Sequence, residues 1–457
     1  MTKSQFIKPG CFVDSHTTAL VETPPNLPSH EPFSHRLKEP EIRTTRGRSF
    51  SLAGVPWEQV DLGKTISTPL VARILKIGVT LSASLILLGI LLLPQTLQQI
   101  SAWWLILQPH IITLGLLALI ATPVLSLVGS LLTFMRERDL QYVIITSIVL
   151  AILLYSIFFL GGPPKDQLPS NAQGLDLSVQ TLLLIFAGSL TAGVVGSLAG
   201  LGGGVLLVPL LTIAFHVPIE LAIGASIVSV IATSSGAAIA YVRDRLTNVR
   251  IAMVLQIGTT LGALSGVFLA GLLAPNMLAI IFGVILLISI APMIFKLREE
   301  LPQGINNDRW ATYFNLAGSY PDKRLGQEVR YQVRRTPAGF VLMYVAGAIS
   351  GLLGIGSGSF KVLALDTLMR LPMKVSSATS NLMIGVTAAA SAGIYLSRGN
   401  IVPLLAAPVA LGVLLGAFIG ARLLVHLSNK TLRYIFLPVL TATAIEMLLH
   451  GIGIGPF

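Results

Sequence analysis

The chain is built from long apolar runs separated by short polar breaks. The first three runs, at about 71–94, 103–133 and 140–162, are each long enough to cross a hydrocarbon layer of roughly 30 Å as a helix. From residue 178 onward the runs come in two sets of five. The first set covers about 178–199, 203–216, 219–242, 251–273 and 276–296, and the second about 338–353, 358–370, 374–397, 402–425 and 431–450. Residues 1–56 hold no such run; they are rich in Pro, Ser, Thr, His and charge, which predicts a disordered cytoplasmic tail without a signal peptide.

One offset, 154 residues, relates the two sets. It pairs Gly193 with Gly347, Gly200 with Gly354, Gly202 with Gly356, Gly204 with Gly358, Pro218 with Pro372 and Ser226 with Ser380. It also pairs Thr233 with Thr387, Tyr241 with Tyr395, Gly258 with Gly412, Gly262 with Gly416, Gly266 with Gly420 and Phe282 with Phe436. Chance overlap of Gly- and Ala-rich runs would not hold a single offset over about 90 residues, so the halves read as a duplication. An odd number of segments inverts the second copy relative to the first. Fusing the first two segments would restore parallel copies, but needs a helix of about 39 residues and nearly 60 Å, too long for one crossing.

The fold class expected is therefore an all-α integral membrane protein: two inverted repeats of five hydrophobic segments with Gly-broken hairpins, preceded by three transmembrane helices. Its divisions are the tail (1–56), a three-helix membrane unit (57–165), repeat 1 (178–297), a cytoplasmic linker (298–337) and repeat 2 (338–457).

Composition agrees, with 53% hydrophobic and 11% charged residues, where soluble domains carry about a quarter charged. The net charge of +11 would point to nucleic acid in a soluble protein. Here the basic residues sit in the tail and in short loops, where they meet anionic lipid headgroups, so no nucleic-acid partner is expected. Lys64, Arg73 and Lys76 precede the first run, and Arg136 and Arg138 follow the second, which places the N-terminus in the cytoplasm. On that topology Arg243, Arg245, Arg250, the basic 296–337 loop, Arg370, Lys374, Arg422, Lys430 and Arg433 all fall inside, while the outer loops hold little beyond Lys165 and Arg398. Cys11 is the one cysteine, which excludes an intramolecular disulfide and a Cys-based metal site. His216, His426 and His450 are scattered without metal-ligand spacing. With no nucleophile–base pair, Walker loop or paired carboxylates in the membrane part, neither enzyme activity nor a cofactor is expected.

The glycine-broken stretch that opens each set is the strongest local signal: Gly200, Gly202, Gly203 and Gly204, then Gly354, Gly356, Ser357 and Gly358. Glycine permits helix-breaking angles and close approach of a ligand to the main chain. In the second copy the flanking arms, about 13–16 residues or roughly 20–24 Å, suggest a re-entrant hairpin with its tip near mid-membrane. Free N–H groups at such a tip favour an anion, and two inverted tips would meet at the repeat interface. The alternative is that the glycines only let helices pack closely.

Hydroxyl-rich stretches follow each hairpin: Ser226, Ser229, Thr233, Ser234 and Ser235, then Ser376, Ser377, Thr379, Ser380 and Asn381. Of these, Ser226, Ser380, Thr379 and Asn381 are candidate donors to an anion, against a purely interhelical role. Lys361 has Leu207 as its mate and either supplies a positive charge or snorkels to the interface. Asp366 and Arg370 are spaced for a local i, i+4 ion pair, and Tyr241 and Tyr395 read as interfacial anchors.

Gly200-Leu-Gly-Gly-Gly-Val-Leu-Leu-Val-Pro209, Gly354-Ile-Gly-Ser-Gly-Ser-Phe-Lys361 and Leu371-Pro-Met-Lys-Val-Ser-Ser-Ala-Thr-Ser-Asn381 resemble the sulfite exporter TauE/SafE family over about 178–450. The resemblance implies a secondary transporter, an exporter of sulfite, an organosulfonate or a similar small anion, without cofactor, across the plasma (inner) membrane, and the two inverted repeats suggest alternating access about an anion held between the glycine tips. A passive anion channel and a non-transporting assembly or sensory protein stay open as alternatives, as does a homo-oligomer. The chain departs from the family's triple glycine at Ser357. Its N-terminal unit resembles a small three-helix membrane domain of unknown function, which implies a regulatory or assembly role.

Overall fold

A computed structural model describes residues 69–91, 102–160, 178–199, 203–295, 306–322, 327–424 and 429–454. The expected tail, and Gly200 and Gly202 of the first break, lie outside the described residues. Three helices come first: α1 (Pro69–Leu91), α2 (Ala102–Arg136) and α3 (Leu140–Tyr155), the last extended by a π-turn over Ser156–Leu160. The first set follows as α4 (Val179–Ala199), α5 (Gly204–Pro209) with a π-turn over Leu210–Ala214, α6 (Ile219–Arg243), α7 (Val249–Ala270) and α8 (Pro275–Phe295). The linker holds α9 (Arg309–Tyr313) and a two-stranded antiparallel hairpin, β1 (Gly318–Asp322) with β2 (Gln327–Tyr331), in which Gly318 faces Tyr331. The second set is α10 (Thr336–Leu353), α11 (Gly358–Leu363) with a π-turn over Ala364–Leu368, α12 (Met373–Ser397), α13 (Pro403–Leu424) and α14 (Asn429–Ile452).

Among the described residues, eight helices are long and apolar enough to cross a membrane. At 25 residues α12 is also long enough, but Ser380, Asn381, Thr387 and Ser391 lower its apolarity; three of these four are buried. The protein is an all-α membrane protein, and the polar face of α12 points inward.

Helix packing repeats under the 154-residue offset. Gly258 of α7 faces Phe340, Gly262 faces Tyr344 and Ala348, and Gly266 faces Ala348 and Leu352, so α7 and α10 lie side by side in the same direction. Shifted by the offset, Gly412 of α13 faces Phe186 and Leu190, and Gly416 faces Leu190 and Val194, which sets α13 beside α4. Gly347 of α10 in turn meets Thr259, and Gly193 of α4 meets Val413. The helices that correspond to each other cross antiparallel. In α6 and α12, Gly224 meets Asn400 while Gly385 meets Ser234; in α8 and α14, Gly283 meets Leu448 while Gly451 meets Ile280. Lipid offers no hydrophobic drive to bring helices together, so backbone approach over small residues provides the contact.

The arms of the broken hairpins are unequal. α10 has 18 residues, about 27 Å, whereas α11 has 6 and its π-turn 5 before the chain turns at Met369. The first arm therefore exceeds the expected length and the second covers about half a crossing. Arg370 lies past the helix end in a left-handed conformation (φ 59°), as does its mate His216 (φ 52°). Arg370 thus has no place on a common helix face with Asp366.

The linker is a folded element. Asp308 caps α9 by accepting from the Ala311 N–H (2.6 Å) and also accepts from the N–H and hydroxyl of Thr336, 2.6 and 3.0 Å away. Asn248 caps α7 through the Ile251 N–H and donates to the Leu316 carbonyl (3.1 Å) and the Tyr331 hydroxyl (2.8 Å). Burial pushes the Tyr331 phenol above its ordinary range, so it stays protonated. The three-helix unit joins the same region: Tyr142 donates to the Phe314 carbonyl, and Arg250 pairs with Asp139 at 2.9 Å while lying over the Tyr142 ring. Within the bilayer the Ser156 hydroxyl donates to the Ala390 carbonyl of α12 (2.6 Å), and Ile157 packs on Gly393.

A Cβ at Gly262 would overlap the Tyr344 carbonyl, a backbone atom that cannot yield, whereas one at Gly236 would meet only Leu414 Cδ1 at 3.4 Å. Gly262→Ala should therefore cost about 1–3 kcal/mol and Gly236→Ala little, read as thermal unfolding of the purified protein in detergent. Equal losses would refute the packing account.

Candidate functional site

The second break forms where three residues within four positions leave the helical region. Gly354 ends α10 at φ 68° with its N–H on the Ser350 carbonyl (2.9 Å), Gly356 takes φ 71°, and Ser357 takes φ 45° immediately before α11. A left-handed conformation costs a non-glycine residue roughly 1–2 kcal/mol. Its mate in the first break, Gly203, sits at an ordinary φ of −60°. The strain is thus carried by the serine that departs from the glycine pattern. Lys361 closes the first turn of α11, its N–H on the Ser357 carbonyl (3.1 Å).

The two breaks touch. The Ser226 hydroxyl on α6 donates to the Gly354 carbonyl (2.9 Å) and lies 3.3 Å from the Gly204 carbonyl. A Cβ at Gly204 would stand 3.1 Å from the Gly354 oxygen and 2.7 Å from Ser226 Oγ. Val230 and Ile384, a pair under the 154-residue offset, press on Gly356 from both sides. Gly203, Gly204, Ser226, Gly354 and Gly356 therefore form one cluster. Ser226 spends its proton on main-chain carbonyls and ties the breaks together, a different task from donating to a ligand.

Around the second break, donors are left over. Ser357 Oγ and Ser380 Oγ are buried and have no hydrogen-bond partner among the described residues. Lys361 is fully buried, with 0% of its surface exposed, and its Nζ donates to Thr387 Oγ1 at 2.9 Å. Among the described residues no carboxylate comes within ion-pair distance of it. Lys361 does not snorkel; it lies in the interior.

Other expected residues fall elsewhere. Thr379 Oγ1 accepts from the Asn248 N–H (3.1 Å) at the start of α7, which makes it a helix-end contact. The Asn381 amide donates to the Ser377 carbonyl of its own helix (2.9 Å). Tyr395 is 2% exposed, and its hydroxyl donates to the Gly351 carbonyl (3.0 Å) in the last turn of α10, so it fixes the second hairpin and does not anchor at an interface. Gln256 was not expected in the interior network, yet its amide bonds Thr387 (3.1 Å); the signal was present as a polar residue in α7 where the offset gives Ala410. Among the described residues no three His, Cys, Asp or Glu side chains are placed to hold a metal.

The arrangement gathers buried hydroxyls, the Gln256 amide and one fully buried lysine, Lys361, with no carboxylate at ion-pair distance from it among the described residues. The sequence profile of the sulfite exporter TauE/SafE family matches residues 184–447. The chain belongs to the TauE/SafE family. A second profile, that of a protein family of unknown function, DUF1634, matches residues 71–158. The chain is 27% identical over 278 residues to the probable membrane transporter protein YunE of Bacillus subtilis, covering 59% of this chain and 98% of the relative. It is 28% identical over 276 residues to the probable membrane transporter protein ORF9 of a Sinorhizobium species, covering 60% and 94%. YdhB of Bacillus subtilis, also a probable membrane transporter protein, is 25% identical over 244 residues, covering 52% and 89%. No solved structure matches. Family and relatives make this TauE/SafE chain a multi-pass membrane transporter.

Ser357→Gly separates strain from donation. It should raise thermal stability by about 1 kcal/mol, through relief of the left-handed strain, while weakening anion-dependent protection against unfolding. A variant less stable than the parent would overturn the strain assignment.

Proposed function

We propose that this TauE/SafE protein carries sulfite, an organosulfonate or a similar small anion across the plasma membrane by alternating access, with the anion bound at the second break. The observation that carries this reading is Lys361, a fully buried lysine with no carboxylate at ion-pair distance among the described residues: Ser357, an unpartnered buried hydroxyl, opens its helix, and Ser380, another, stands on the helix of its partner Thr387. An uncompensated buried charge costs several kcal/mol, and a bound anion removes that cost. Hydroxyls add hydrogen bonds without a further fixed charge to hold the ion too tightly. The antiparallel crossings of α6 with α12 and of α8 with α14 support two inverted halves, whose rocking would open the site to each side in turn.

Burial favours a carrier over a channel. Ser226, Ser357, Lys361 and Ser380 are each at most 1% exposed, so an ion reaches them only after the helices move. Outward transport, with the N-terminus in the cytoplasm, is the direction that the family name supports.

Purified protein in proteoliposomes should move radiolabelled sulfite with saturation and show counterflow, measured with and without a proton gradient. Lys361→Met should lower the rate at least about tenfold, the equivalent of about 1.4 kcal/mol. Protein that moves no small anion under any gradient would sink the reading, and flux without saturation or exchange would favour a channel.

A further inference from the structure

The 154-residue offset fails at one group of interior residues. Lys361, Thr387, Gln256 and Thr260 form a hydrogen-bonded chain across α11, α12 and α7, and the offset maps them onto Leu207, Thr233, Ala410 and Leu414. Only the threonine is kept, and Thr233 bonds just to carbonyls of its own helix, Ser229 (3.1 Å) and Val230 (3.2 Å). One half of the duplication thus carries a polar interior chain where the other is apolar.

In that chain the Gln256 amide donates to Thr260 Oγ1 (3.0 Å) and Thr387 Oγ1 (3.1 Å). Thr387 accepts from Gln256 and from Lys361 Nζ (2.9 Å), and gives its own proton to the Met383 carbonyl (2.7 Å). Both acceptor positions and the proton of that hydroxyl are committed, so its orientation is set. Lys361 Nζ is held at one point, with further N–H donors unoccupied among the described residues. All four side chains are at most 1% exposed. A primary amide in a membrane interior is costly unless its hydrogens are used, and here one goes to Thr260 and the other to Thr387, the threonine on which the lysine rests.

We propose that Gln256, acting through Thr387, is a positioning residue that sets Lys361 for the anion, and that recognition is one-sided: charge is met at the second break, while the first supplies main chain alone. The inference rests on the anion-carrier reading above. It predicts that corresponding substitutions in the two halves are unequal. Gln256→Glu is nearly isosteric and folds into the same space, but it brings a carboxylate to Thr387 that competes with the anion for the Lys361 charge.

The test is sulfite uptake into proteoliposomes, with KM and maximal rate measured separately. Thr387→Val and Gln256→Glu should each raise KM about tenfold or more with a smaller change in maximal rate, Gln256→Leu should raise it less than Gln256→Glu, and Thr233→Val should leave it near the parent value. If Thr233→Val and Thr387→Val act alike, or Gln256→Glu keeps the parent KM in a protein that transports sulfite, the one-sided site is wrong while the carrier reading stands. If the unaltered protein moves no sulfite, both fall.

Discussion

The constraint on which the structure depends is that a helix broken inside a membrane must satisfy its main chain without water. At the second break Gly354 presents a carbonyl to the protein interior, and the hydroxyl of Ser226, from the other half of the duplication, meets it. Tyr395 serves the Gly351 carbonyl one turn earlier. These side chains meet the carbonyls of Gly351 and Gly354 where the chain leaves the helical region at Gly354, Gly356 and Ser357. They also join the halves, since the partner of one break comes from the helix that follows the other. Among the described residues, what remains without a partner there is the pair of hydroxyls of Ser357 and Ser380, while Lys361 is held at Thr387 alone.

Around the breaks the helices are held by close backbone contact. α7 beside α10, and α4 beside α13, approach so closely at Gly262, Gly266, Gly347, Gly193 and Gly416 that a methyl group would strike a carbonyl or main-chain carbon. These pairs each combine a helix of one half with a helix of the other, so each half is held in place by the other. Most of the glycines that recur at the offset serve this packing, and a few at the breaks serve conformation.

Much of this was legible in the sequence. Helix ends fell within about one turn of the apolar runs, and the single offset that paired Gly258 with Gly412 and Gly262 with Gly416 reappears in which residues touch. The site was legible in part. Gly204, Gly354, Ser226 and Lys361 were named, because a break, a repeated serine and an intramembrane lysine each carry a cost visible in one dimension. Thr379 and Asn381 misled, since a polar residue near a helix start serves capping and loop contacts as readily as a ligand. Gln256 was missed because its importance comes from Thr387, 131 residues away in sequence. Tyr395 was misjudged because closeness to a helix end does not by itself place a residue at the membrane surface; its hydroxyl is buried against the last turn of α10.

The three-helix unit lies along α6 and α12, the helices that follow the two breaks, and fastens to α12 through Ser156 and Ile157. The TauE/SafE profile matches only the part after this unit, and YunE is 98% covered by an alignment of 278 residues, which leaves it little length for such a unit in addition. In this chain, then, a flank of the TauE/SafE part leans on a covalently attached protein wall instead of acyl chains. Changes in bilayer thickness or lateral tension reach that flank only through three tethered helices, so lipid composition should govern its mechanics less directly than in a relative without them.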